Sequence, residues 1–172
     1  ILLLCFISIY YSASHHSVIY SFPTRRSSDL TGVNKELIDD LKEMLIKNEG
    51  MELKPYQCTS DKTTIGVGRN LTDNGVSIDE AELMLKNDMD GVFNDLDRNI
   101  PFWQSMPYNI RLVLADMCFN LGIKRLCRFT KMLEAMEERD FELAGEELLD
   151  STYAVQVKRR ADRNYRLIKG GN

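Results

Sequence analysis

The chain has 172 residues, is 44% hydrophobic and 28% charged, and carries a net charge of −4. That length suits one domain or a small two-lobed unit, and the acidic balance excludes a global basic field for nucleic acid or anionic wall polymers. Outside the first 30 residues the cysteines are Cys58, Cys118 and Cys127, an odd count with no C-x-x-C pair, which argues against a disulfide framework or a zinc site.

The N-terminal stretch stands apart. Ser21 to Leu30 reads S-F-P-T-R-R-S-S-D-L, which looks like a sequencing-library adapter translated in one frame. Residues 1–30 are therefore expected to be non-native, with no bearing on the fold. The rival reading is a signal peptide or anchor built on the apolar run Ile1 to Tyr11. That run has no initiating Met and no basic n-region, and it is shorter than the roughly 20 residues that cross a bilayer. Without Arg25, Arg26 and Asp29 the net charge becomes about −5.

From there the elements follow in order. Asn34 is placed to cap a helix whose apolar stripe is Leu37, Ile38, Leu41, Met44 and Leu45, and Gly50 is a natural stop. Glu49 thus sits at or beside the helix C-terminus. Pro55 forbids a helix interior. The cluster Ser60-Asp61-Lys62 reads as a turn, and Thr63 to Val67 favours strand. A small hairpin or three-stranded sheet is predicted, with Gly66 and Gly68 at its bends.

Thr72 to Gly75 reads as another turn, and Ser77-Ile78-Asp79-Glu80 as a capping box opening a long helix. Leu85, Met89, Val92 and Leu96 repeat along it, and Pro101 marks its end. Pro107 is expected at the first position of the next helix, a strongly apolar one over Ile110 to Phe119 that ends at Asn120-Leu121-Gly122. Shorter helices follow at about Arg128–Met136, Phe141–Leu149 and Val155–Ile168. Glu134 to Asp150 is acidic and Lys158 to Lys169 basic, which reads first as two solvated faces. Cys118 and Cys127 lie among apolar residues and read as small buried hydrophobes. No phosphate-binding loop or internal repeat is present.

One segment carries chemistry. Asn48 to Arg69 reads N-E-G-M-E-L-K-P-Y-Q-C-T-S-D-K-T-T-I-G-V-G-R. Its pattern E-x8-C-x5-T closed by T-I-G-V-G resembles the active-site segment of the phage lysozyme or endolysin family, glycoside hydrolase family 24, whose usual pattern is E-x8-D-x5-T. The chain keeps Glu49 and Thr64 and carries Cys58 at the aspartate position. Residues from about Asn34 to Gly170 fit the resemblance, with F-N-L-G at Phe119 to Gly122 and Q-V-K-R-R-A-D-R at Gln156 to Arg163. It implies an α+β, lysozyme-like fold over 31–172: a small β-sheet lobe and a larger helical lobe joined by a long helix.

The resemblance also implies an activity, the hydrolysis of β-1,4 bonds between N-acetylmuramic acid and N-acetylglucosamine in peptidoglycan during host lysis. Such cleavage needs an acid for the leaving oxygen and a water or nucleophile on the other face of the sugar. Glu49 is the expected general acid. On residues alone it reads first as a surface glutamate, in an unfavourable seat near the negative end of a helix dipole. Cys58 and Thr64 are expected to hold the attacking water. A thiolate has the anionic charge of an aspartate, although sulfur is a poor hydrogen-bond acceptor. Cys58 is accordingly read as an aspartate substitute, a bystander, or a mark of altered chemistry. By resemblance Arg160 pairs with the catalytic glutamate, and Phe119 and Asn120 line the saccharide cleft. Alternatively Arg160 is a solvated charge, Phe119 core and Asn120 a helix cap.

No metal or organic cofactor is implied. The expected partner is the peptidoglycan glycan strand, with no nucleic acid and no stable membrane insertion, for a monomer held in the host cytoplasm before release to the wall. Two rivals remain: a lytic transglycosylase, which needs one carboxyl group and no water-holding aspartate, and a non-catalytic wall-binding or virion protein on the same fold.

Overall fold

The computed structural model describes residues 34–170. The reading of 1–30 lies outside the described residues. The chain divides into two compact units after Asn70.

The first unit holds one helix and a sheet. Helix α1 spans Lys35–Glu49. It starts as expected, with Asn34 Oδ1 accepting from the Glu36 N–H at 3.0 Å. It ends at Gly50, whose φ of 76° lets its N–H turn back to the Ile46 carbonyl. Strands β1 (Glu52–Gln57), β2 (Thr63–Gly66) and β3 (Arg69–Asn70) form an antiparallel sheet in the order β1-β2-β3. Tyr56 pairs with Thr64 and Gln57 with Thr63, so the turn between them covers Cys58 to Lys62. An irregularity in β1 between Glu52 and Tyr56 brackets Pro55, which has no N–H for the ladder.

The second unit is helical. Thr72 to Asn74, read as a turn, belongs to a one-turn helix α2 (Leu71–Asn74) closed by Gly75 at φ 58°. Helix α3 (Ile78–Asn99) opens with the predicted capping box: the Ser77 N–H donates to Glu80 Oε2 at 2.6 Å, and the Glu80 N–H to Ser77 Oγ at 3.2 Å. At 22 residues it is about 33 Å long. This long helix belongs to the helical unit, where it packs on the helix that follows. A 3-10 turn at Trp103–Ser105 leads to α4 (Tyr108–Leu121), with Pro107 at the cap rather than inside the first turn. The short α5 (Ile123–Leu126) had no signal in a stretch of only four residues. Helices α6 (Thr130–Glu137), α7 (Phe141–Leu149) and α8 (Thr152–Ile168) complete the unit.

The core lies in this unit. Leu96, Ile110, Leu114, Met117, Met136 and Leu148 are fully buried. Of the α3 repeat only Leu96 is buried; Val92 packs half-buried against the core, and Leu85 and Met89 are exposed. Emptying one such site, as in Leu114→Ala, costs about 2–5 kcal/mol through lost transfer energy and the cavity left behind. Cys118 is buried as expected, and burial pushes its thiol up to about 11, with smaller effects from Asp95 and Cys127. Cys127 is half-buried, and the described cysteines are free thiols.

Candidate active site

Glu49 is the last residue of α1 and is exposed. Its carboxylate rests against the bend between β2 and β3. A Cβ built on Gly68 would stand 3.6 Å from Glu49 Oε2 and 3.9 Å from its Cγ. That is ordinary contact distance, so what position 68 demands is backbone: its φ is +70°, which favours glycine. The helix stop at Gly50 and the bend at Gly68 together seat the acid between α1 and the sheet.

Cys58 and Thr64 meet at the other end of β2. The Cys58 N–H donates to the Lys62 carbonyl, and the Asp61 N–H to the Cys58 carbonyl, both at 3.0 Å. Asp61 takes a left-handed φ of 56°, tolerable for a short polar side chain. This tight turn brings the Cys58 sulfur to the backbone N–H groups of Ser60 and Lys62 and to the Thr64 hydroxyl. The two N–H groups, and then the hydroxyl, favour the thiolate. Burial opposes them by less than either N–H, so the Cys58 pKa lies below the ordinary thiol value.

Thr64 is only 4% exposed. Its hydroxyl donates to the Lys62 carbonyl at 3.2 Å and also has the Cys58 sulfur in reach, so one proton serves two acceptors. Beside it, Gln57 Nε2 donates to Thr63 Oγ1 at 3.1 Å and ties the base of the turn.

The helical unit holds the remaining candidates. Phe119 and Asn120 are both exposed on the last turn of α4. The C-cap is Gly122, at φ 75°, so Asn120 is not the cap and Phe119 is not core. Phe119 borders an apolar groove of about 270 Å³ between α3 and α4 with Leu85, Met89, Phe93 and Leu112.

Arg160 is engaged by a residue that sequence reasoning missed. Asp116, on α4, accepts from Arg160 Nε at 3.0 and 3.2 Å, Arg160 Nη2 at 3.0 Å, Arg163 Nη2 at 2.9 Å and Asn164 Nδ2 at 2.9 Å. Its burial raises its pKa, but the bonds from Arg160 and Asn164 and the charges of Arg160 and Arg163 outweigh that and leave it below the usual carboxylate value. The bond to Asp116 raises Arg160 in turn. The signal was available: one acid inside an otherwise apolar helix needs a partner, and R-x-x-R-N puts three donors on one helix face.

Among the described residues, no three His, Cys, Asp or Glu side chains gather as a metal site, and no helix is long and apolar enough to cross a membrane.

The small sheet with its Cys-Thr turn, followed by a helical unit, defines an α+β protein of the lysozyme-like class. The chain belongs to the phage lysozyme family, whose model matches residues 46–163. It is 29% identical to the pre-baseplate central spike protein Gp5 of Enterobacteria phage T4, over 76% of this chain and 28% of that protein. Thus it spans less than a third of that relative's length. It is 25% identical to the probable T4-type lysozyme 2 of Dictyostelium discoideum, over 74% of this chain and 92% of that protein, and 22% identical to the probable T4-type lysozyme 1 of the same organism.

Proposed function

We propose that the chain is a muramidase that hydrolyses the β-1,4 bond between N-acetylmuramic acid and N-acetylglucosamine in bacterial peptidoglycan. Glu49 protonates the leaving oxygen. Cys58, as a thiolate, and Thr64 hold and polarise the attacking water. Arg160 supports the acid, and Phe119 and Asn120 bind sugar. In a lysis role the protein acts on the wall after release from the host cytoplasm.

The observation that carries this reading is the turn around Cys58. Two backbone N–H groups and a buried hydroxyl converge on the sulfur and favour its anion. A water-activating group needs that charge, and a bystander thiol needs none of it.

The test is mass spectrometry of fragments released from purified peptidoglycan. Free reducing-end N-acetylmuramic acid supports hydrolysis, and anhydro-muramic ends reassign the chemistry to a lytic transglycosylase. The likeness to the spike protein favours a second reading, a virion part with a lysozyme fold. Glycan binding with no release by a folded protein would select it.

A further inference from the structure

Asp116 lies outside the motif that marks the site, yet it carries the densest set of polar contacts among the described side chains of the helical unit. Its side chain is 18% exposed, and both oxygens are used: Oδ1 by Arg160 and Arg163, Oδ2 by Arg160 and the fully buried Asn164. Arg160, Arg163 and Asn164 share one face of α8 at i, i+3 and i+4. They follow a break in helical geometry at Val157 and Lys158, so the segment that carries them is set by what it docks on rather than by continuity with the start of α8.

The bonding pattern has a direction. A guanidinium is planar and presents donors along fixed edges. Asp116 takes the edge formed by Nε and Nη2. Planarity then turns the Nη1 end away from Asp116. Two guanidinium groups on one carboxylate also leave the cluster with a net positive charge. On α4 itself, Phe119 and Asn120 lie three and four residues beyond Asp116, on the same face. One carboxylate therefore joins the arginine of α8 to the α4 face that carries the two sugar-binding candidates.

We infer that Asp116 is a positioning residue, which fixes the plane of Arg160 relative to Phe119 and Asn120 and directs its free end at an anionic oxygen outside the cluster. This rests on the reading of Arg160 as the supporting cation of a muramidase. Asp116 touches no substrate in this role and acts through Arg160. A purely structural Asp116 would stabilise the packing of α4 on α8 and do nothing else.

The experiment compares wild type, Asp116→Ala, Asp116→Asn and Arg163→Gln by three readouts: kcat and KM on purified peptidoglycan, thermal stability, and the NMR signal of the Arg160 Nε–H, assigned with Arg160→Lys. Arg163→Gln removes one bond from the same carboxylate and leaves Arg160 held. The expected result for both Asp116 variants is a kcat loss of about 10- to 100-fold with KM little changed, the size that misplacement of a distant support produces. The Nε–H signal should be protected in wild type and in Arg163→Gln, and exchange-broadened in the Asp116 variants. Should Asp116→Ala fail to fold, Asp116→Asn, which preserves shape, decides.

Equal kcat losses in Arg163→Gln and the Asp116 variants would overturn the proposal, since general loosening would then explain both. So would a stability loss in the Asp116 variants with kcat unchanged. A wild-type protein that releases no glycan overturns the muramidase reading instead. The Nε–H signal needs no turnover, and in that case a signal protected only when Asp116 is present supports the positioning, while one unaffected by the substitution overturns it.

Discussion

Replacing Cys58 by Asp changes the acid that must ionise while keeping the donors around it. The N–H groups of Ser60 and Lys62 and the Thr64 hydroxyl are set by the turn between β1 and β2, and a carboxylate at position 58 inherits them. If Cys58 activates water, it works as the anion. Activity in wild type then rises with pH as the thiol ionises, and in the variant as the carboxylate does. Free thiol and aspartate values are about 8.5 and 3.9, so the rising limb of kcat/KM moves down by at most about 4 to 5 units. The turn has already lowered the thiol, so the displacement is smaller than that. Cys58→Ala removes the anion altogether and is expected to lose about 10²–10⁴-fold in kcat. The assay is release of reducing ends from purified peptidoglycan as a function of pH. Identical rising limbs in wild type and Cys58→Asp, together with full activity in Cys58→Ala, would refute the argument and make the thiol a bystander.

Other predictions follow from the same geometry. Glu49→Gln cannot donate the proton and should abolish glycan release, with an unchanged circular dichroism spectrum; near-native turnover would sink the assignment of the acid. Gly68→Ala places a methyl at tolerable distance from Glu49 but holds an L-residue at φ +70°, so denaturant unfolding should report a loss of about 1–2 kcal/mol. Ser77→Ala removes half of the capping box of α3 and should cost about 1 kcal/mol by the same measurement.

For Asp116 the folded pKa is depressed, so its stabilisation is complete above the unfolded value of about 4 and is lost as pH falls through the lower folded value. Acid unfolding of wild type should therefore be steeper than that of Asp116→Asn; parallel acid titrations would remove the carboxylate from the account.

Much of this protein is local in origin, and the sequence alone determined that part. Asn34, Gly50 and the Ser77–Glu80 box act on backbone groups within a turn of themselves, so the ends of α1 and the start of α3 were legible from residue type. The hairpin was legible because its turn residues and β-branched run are contiguous. The pairing of Glu49, Cys58 and Thr64 as candidates came from motif spacing and resemblance.

Only the tertiary structure decided what depends on approach between distant segments. That Gly68 backs Glu49 reflects how the end of α1 meets the bend after β2. That the Cys58 thiol is biased toward its anion reflects the curl of a five-residue turn, which spacing does not specify. The capture of Arg160 by Asp116 joins residues 44 positions apart in the chain, and the apolar character of α4 concealed it. The hydrogen-bond partner of a half-buried acid is chosen by which helix packs beside it, a quantity no single segment contains.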